Sequence, residues 1–383
     1  MGDTTITWIL VCTLISNSAY AIIAPFLPLE FAEKGIEGYI IGIIFAVYSI
    51  AVIFFSPIVS NMNSRYGSSN LIASGILFMG ITFTLFGTLD NMTNSNYIIL
   101  AAIILRSLQG ISSALIQTTC YCIATNDFPK RKHEIVGWVE AVTGMGCIVG
   151  PVLGSTLYNF LGFKHTFLVW GSFLIFLSLI IKLNFSHGKP YLIEDFSATL
   201  SENFLPMNQS IDQADEVSFN ESQKVTTMRL LGHVRFFLAA LSSALVYFMC
   251  CCLEPILATR LLDFDLTHLQ IGLFFTIWSF TYIPSSIAVQ YMSRKIEARL
   301  IIIFASFFCG ISFFVTGPSQ MLGLPDTLLL MGVGQAMIGV FTAIMIVPGL
   351  PEMVESMLPL YPGQEREVNE TSSGIFNAFL GLG

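Results

Sequence analysis

Charge is what this chain lacks. Asp, Glu, Lys and Arg together make up 11% of its 383 residues, where a soluble domain carries about a quarter. The net charge of −8 therefore describes loops, and the absence of a basic face excludes nucleic-acid binding. The five His form no His-Glu-x-x-His pair. There is no phosphate loop and no nucleophile–base pair, so the sequence offers no enzyme site, no cofactor site and no metal set. The eight Cys all sit inside apolar stretches. A disulfide framework would place them in polar loops, so they read as small buried hydrophobes. The run Cys250-Cys251-Cys252 lacks the His or second Cys pair that would complete four zinc ligands. The first residues contain Asp3 and no Lys or Arg, and the apolar run that follows continues to Phe31. That is too long, and wrongly flanked, for a signal peptide. Ile6 stands where N-myristoylation needs Ser or Thr.

What is present is hydrophobic: 54% of the chain, with 33 Phe. A helix needs about 20 apolar residues to cross the hydrocarbon core. Stretches of that kind occur at 7–30, 39–60, 71–89, 97–121, 135–161, 166–185, 236–258, 269–291, 300–318 and 327–349, and another opens near Gly374. Runs this long exclude barrel strands. The fold class is all-α, a polytopic membrane protein with the bilayer as its partner. Arg65, Lys130, Arg131, Lys132, Arg294, Lys295 and Arg299 fall on one side of such a bundle, and Lys34, Lys164 and Arg260 on the other. Basic connections stay cytoplasmic, so the N-terminus is expected in the cytoplasm, with Arg106 left inside the membrane. Residues 186–233 are polar and acid-rich and read as a flexible cytoplasmic linker. They divide the chain into halves at 1–185 and 234–383. The sequons at Asn208 and Asn220 then lie on the wrong side for glycosylation, whereas Asn91-Met-Thr lies on the permitted side.

The halves repeat one another. Tyr20 precedes Pro28 as Tyr247 precedes Pro255. IGIIFAVYS from Ile41 matches IGLFFTIWS from Ile271, and Ser64-Arg65 matches Ser293-Arg294. Gln109-Gly110 corresponds to Gln335-Ala336. GWVEAVTGMG from Gly137 matches the closing GIFNAFLGLG from Gly374. The second copy stops shortly before the counterpart of Gly150-Pro151. The sequence is therefore expected to contain about ten full spans plus the start of an eleventh, an incomplete second repeat.

Two parallel repeats joined by a long loop fit one transporter architecture. LRSLQGISSA at 105–114 resembles the Arg-x-x-Gln-Gly signature of helix four in the major facilitator superfamily. GMGCIVGPVLG at 144–154 resembles the helix-five motif of its drug/proton antiporters, which marks Gly144, Gly146, Gly150, Pro151 and Gly154. FPKRKHEIVGWVEAVTGMGCIVGPVLGSTLY and CLEPILATRL resemble the vesicular amine and polyamine transporter branch. The resemblance implies a monomeric carrier that exchanges protons for a small-molecule substrate, cationic in this branch, in a vesicular, endolysosomal or plasma membrane. Two departures stand out. The loop pattern Asp-Arg-x-Gly-Arg is here Ser64-Arg65-Tyr66-Gly67-Ser68, without its acid, which implies a weaker cytoplasmic gate. Asn17 and Ser18 stand where monoamine carriers have Asp.

Ionised groups in the bilayer cost about 3 kcal/mol each on insertion scales, so each calls for a reason. Arg106, with Gln109 beside it, is either a fixed charge that answers a proton-carrying acid or a structural Arg. Glu140 is either a proton or cation site or a helix-end Glu paired with Arg131 or Lys132. Glu254 precedes Pro255, which kinks a helix and frees carbonyls; it is either the cargo acid or a wet Glu beside Arg260. Tyr20, Asn17, Tyr247, Trp278 and Tyr282 are candidate cavity-lining residues, the aromatics offering ring faces to a cation; ordinary packing is the alternative. The glycines at every fourth position permit close helix approach, with or without a pivot. The leading expectation is proton-coupled antiport of a small organic cation. A facilitator of a neutral or anionic solute, and a transport-dead membrane scaffold, are the alternatives.

Overall fold

The computed structural model describes residues 2–185, 225–264, 268–293, 295–317 and 323–382. Most of the expected linker, with the sequons at Asn208 and Asn220, lies outside them. Among the described residues all regular structure is helical. The first group of helices is α1 (Gly2–Ala21), α2 (Leu27–Glu33), α3 (Gly38–Tyr66), α4 (Ser68–Gly87), α5 (Ser95–Asn126) and α6 (Lys132–Asn184). The second group is α7 (Thr227–Leu231), α8 (Val234–Leu262), α9 (His268–Met292), α10 (Ala298–Thr316), α11 (Leu328–Ile346), α12 (Gly349–Met357) and α13 (Glu365–Leu380). By length and composition, six described segments are long and apolar enough to cross a membrane: Gly38–Tyr66, Ser68–Asn91, Ser95–Asn126, Lys132–Asn184, Ala298–Thr316 and Leu328–Leu360. Helix α6 is long enough for two crossings. Gly162 divides it at φ +74°, a left-handed conformation that glycine adopts without penalty.

Within the first group α5 packs against α3 and α4, α6 packs against α4, and α1 lies between α6 and α5. Within the second, α9 and α10 flank α11, and α8 lies against α12. The groups meet along two lines, α6 on α9 and α13 on α3 and α5. The two lines are related by the sequence repeat. A Cβ on Gly137 would sit 2.9 Å from the Ser286 carbonyl oxygen, and one on Gly374 would sit 2.9 Å from that of Ser56. Gly137 and Gly374 are repeat partners, and Ser56 and Ser286 fall at equal distances from Ile41 and Ile271. The same backbone contact therefore occurs twice.

Polar contacts between the groups gather at Glu140, at the ends of α3 and α5 and at the start of α6. Lys132 Nζ and His133 Nε2 reach Glu355 at 2.9 and 3.0 Å. Asn377 donates to Ser56 Oγ at 3.0 Å and Thr118 Oγ1 at 3.1 Å. Helix α5 records the enclosure. Its first half alternates between buried and exposed, whereas residues from Ser112 to Thr125 are all buried. The structure is closed at the N-terminal face.

Two element boundaries differ from the sequence expectation. Helix α1 ends at Ala21, and turns at 22–26 separate it from α2, where one span was expected to run to residue 30. Helix α13 starts at Glu365, more than two turns before Gly374. Its opening residues are polar because Val368 to Ala378 are buried against other helices instead of lipid. A hydropathy reading cannot see a helix start of that kind.

Candidate functional site

Glu140 is fully buried on α6. Tyr121 on α5 donates its hydroxyl to Oε1 at 2.6 Å, and Tyr282 on α9 donates to Oε2 at 2.8 Å. Both tyrosines are buried as well. Each carboxylate oxygen has its own donor, and one of the two donors comes from the other helix group. No Lys or Arg pairs with Glu140 among the described residues. The expected alternative partners are engaged elsewhere: Arg131 with Glu134 and Lys132 with Glu355. A carboxylate cut off from water and from any cation is costly unless something neutralises it. A proton or a cationic cargo are the two means of doing so.

Three local features build this arrangement. Gly144, one turn on from Glu140, would place a Cβ 2.8 Å from the Tyr282 ring, so its lack of a side chain admits that ring to the seam. Trp278 packs at a tilt against Tyr282, 5.4 Å between ring centroids, and steadies it from one turn away. Phe376 on α13 meets Tyr121 edge-on at 5.3 Å. Tyr247, partly buried on α8, lies within electrostatic reach of both hydroxyls.

Gly146, Gly150 and Gly154 face α1 rather than α9. Cβ atoms there would lie 2.7 Å from Asn17 Cβ, 2.7 Å from the Ser18 oxygen and 2.1 Å from the Ile22 oxygen. The stripe seats α1 against α6, with Pro151 half-exposed in the same helix. Asn17 donates to the Thr13 carbonyl at 2.9 Å and to Thr143 Oγ1 at 3.4 Å, so it bridges those two helices.

Arg106 forms a second constellation on α5. It is fully buried, donates from Nη1 to Gln109 Oε1 at 3.0 Å, and lies over the rings of Tyr48, Phe45 and Tyr20 at 4.7, 5.4 and 6.0 Å. Tyr20, partly exposed, packs against Tyr48 at 4.9 Å. Gly110 makes this possible: a Cβ there would stand 2.3 Å from the Tyr48 carbonyl oxygen. Removing the side chain lets α3 approach and lay Tyr48 on the guanidinium. No acid answers Arg106 among the described residues, and its Nε and Nη2 have no partner. Arg106→Lys keeps the charge but loses the planar stack and the fork to Gln109. The expected outcome is at least a tenfold fall in transport at unchanged membrane abundance, measured by uptake per molecule; wild-type uptake would contradict this role.

The structure thus joins Glu140, Tyr282 and Trp278 in one cluster, and Arg106, Gln109 and Tyr20 in another. Helix α8 runs through position 254, but the side chain of Glu254 lies outside the described residues. Arg260, its suggested alternative partner, pairs with Asp263 and Asp326. Sequence reasoning missed Tyr121. The available signal was the small polar series Ser112, Ser113, Gln117, Thr118 and Thr119 on the same helix, which marks it as enclosed rather than lipid-facing.

An all-helical bundle of long apolar segments, with a buried carboxylate on a seam between repeated halves, defines a polytopic membrane protein. The Major Facilitator Superfamily profile matches residues 9–383, and the chain belongs to that family. It is similar to the MFS-type transporter SLC18B1 of Homo sapiens, 24% identical over 96% of this chain and 75% of that protein. It is also similar to the multi-drug resistance efflux pump PmrA of Streptococcus pneumoniae, 22% identical over 90% of this chain and 79% of that one. The crystal structure of the human organic anion transporter MFSD10 (TETRAN) superposes with a TM-score of 0.67 at 18% identity, covering 98% of this chain and 91% of that one. It shares the fold. Family and relatives point to transport of small molecules rather than catalysis.

Proposed function

We propose that this protein is a proton-coupled antiporter of a small organic cation, with polyamines and related amines the first class to test. One observation carries the reading: the Glu140 carboxylate lies buried on the seam, held by two hydroxyls and, among the described residues, by no cation. An ionised carboxylate accepts from Tyr121 and Tyr282 together. A protonated one carries its proton on one of those oxygens, so one of the two contacts weakens. Protonation and separation of α6 from α9 are thereby linked, which is the coupling that exchange requires. The residues at 1–185 and 234–383 act as the two rocking bodies, with the N-terminal face cytoplasmic as the basic connections require. Glu254, Tyr247, Trp278 and Asn17 are proposed to line the cargo path, and Glu254 to meet the amine.

The test is uptake by purified protein in proteoliposomes, with a panel of amines and an imposed pH gradient. Accumulation should appear only with the gradient and vanish when a protonophore collapses it. Glu254→Gln should reduce cation uptake at least tenfold while the protein still inserts; full uptake would remove Glu254 from the mechanism. A second reading has its own support. The unpartnered Nε and Nη2 of Arg106 suit an anionic group, as a carrier of neutral or anionic solutes would need. Uptake of carboxylates that is indifferent to the pH gradient would favour that reading and defeat the first.

A further inference from the structure

The last turn of α3 lacks the acid expected at Ser64, yet the N-terminal face is closed. The closing charge lies elsewhere. Glu370, in the second turn of α13, is nearly inaccessible, and three donors converge on its Oε1: Asn63 Nδ2 of α3 at 3.0 Å, Asn126 Nδ2 of α5 at 3.4 Å and Arg366 Nε of its own helix at 3.1 Å. Asn63 is aimed by Ser68 Oγ, which donates to its Oδ1 at 2.9 Å. Around this point Asn369 Nδ2 reaches the Thr125 carbonyl at 3.4 Å, and Ser373 Oγ lies 3.4 Å from Thr125 Oγ1. Below it a Cβ on Gly374 would meet Ser60 Oγ at 2.6 Å. One carboxylate oxygen therefore ties two helices of the first group to one of the second.

We propose that Glu370 is the gate acid of this protein, moved from the end of α3 to the opposing helix group, and that its charge holds the N-terminal face shut. Amides occupy the first-group side, Asn63 and Asn126, so the latch closes without two acids facing one another. A hydrogen bond to an ionised group is roughly twice as strong as a neutral one, so neutralising Glu370 weakens all three contacts together. Arg366 is the charged residue bonded to it, and Glu367 lies beside it on the same helix. The other charged residues on elements packed against α13 are Arg65 on α3, Arg106 on α5, Arg229 on α7, Arg235, Glu254 and Arg260 on α8, and Glu352 and Glu355 on α12; Arg235 pairs with Glu352, and Glu355 with Lys132 and His133. The proposal rests on gate opening alone and stands whatever the cargo.

A native reporter sits in the latch. Cys122 is buried, and its Sγ lies 3.9 Å from the Glu370 carbonyl oxygen. Its modification by a membrane-impermeant maleimide, located by peptide mass spectrometry on the purified full chain, reads gate opening. In wild type the rate, corrected for maleimide reactivity at each pH, should rise several-fold as pH falls. Glu370→Gln should raise it about tenfold and flatten the pH profile. Asn63→Asp alone should also raise it, by setting two carboxylates against each other. The Asn63→Asp, Glu370→Gln pair returns the acid to α3 and should restore slow labelling. Wild-type labelling and a wild-type pH profile in Glu370→Gln would overturn the proposal. So would a double variant that labels faster than either single variant, since that is the behaviour of mere packing damage.

Discussion

Glu140→Gln is expected to abolish accumulation of cargo against its gradient, by 100-fold or more, while leaving cargo–cargo exchange measurable. A hundredfold loss corresponds to about 2.7 kcal/mol of coupling. The substitution keeps the shape of the side chain and one acceptor oxygen. It removes the negative charge and the site that gains and loses a proton. One of the two tyrosine hydroxyls, at 2.6 and 2.8 Å, then faces an amide NH2 and must turn to accept. The seam between α6 and α9 survives in weakened form, so the carrier still moves, but its movement no longer depends on protons. Exchange assayed with labelled cargo on both sides separates this result from simple misfolding. If Glu140→Gln drives uphill uptake at the wild-type rate, Glu140 is a structural carboxyl and the antiport reading fails with it.

The largest stability effect is expected at Gly154. Even the methyl of alanine would stand 2.1 Å from the Ile22 oxygen and 2.9 Å from Ile22 Cγ1. The first contact is with backbone, which cannot swing aside as a long side chain would. Helix α1 must back away, and that also disturbs the seats of Gly146 and Gly150. Overpacking of this kind costs about 3 kcal/mol, equivalent to a fall of about 4 °C in melting temperature for a chain of this size. Gly42→Ala is the matched control, because nothing lies within 4 Å of its added Cβ. There a helical alanine should be neutral or stabilising by up to about 1 kcal/mol. Equal melting curves for Gly154→Ala and Gly42→Ala would contradict the account of the α1–α6 seam.

Much of the fold was legible because lipid imposes a simple rule: long apolar runs and basic loops on one side. The repeat was legible for the same reason, since its two copies preserve both spacing and glycines. Polar residues inside the bundle were harder to read. Glu365 to Ser373 read as loop because hydropathy rewards contact with lipid, whereas these residues contact α3 and α5. Arg106 and Glu140 were singled out because charge in an apolar run demands a reason, and Gln109 for its place beside Arg106. Tyr121 was not, because a tyrosine near a helix end is an ordinary interface anchor. Its role depends on a carboxylate nineteen positions later, a relation that no local pattern encodes. Nor did the sequence reveal that Gly144 serves α9 while Gly146, Gly150 and Gly154 serve α1, since a glycine stripe does not name its neighbours. The missing acid at Ser64 was read as a weaker gate; Glu370, bonded from Asn63, Asn126 and Arg366, is the acid proposed in its place, and no pattern around Ser64 points to it.

The most direct measurement is proton release on cargo binding. Purified protein in weakly buffered detergent, at a pH where the carrier is active, is mixed with a transported amine while a pH dye records protons set free. The wild-type protein is predicted to release protons in proportion to amine bound, and Glu140→Gln to bind amine without releasing any. Equal release from the two proteins, or none from the wild type at saturating amine, would contradict the claim that one buried carboxylate trades a proton for cargo.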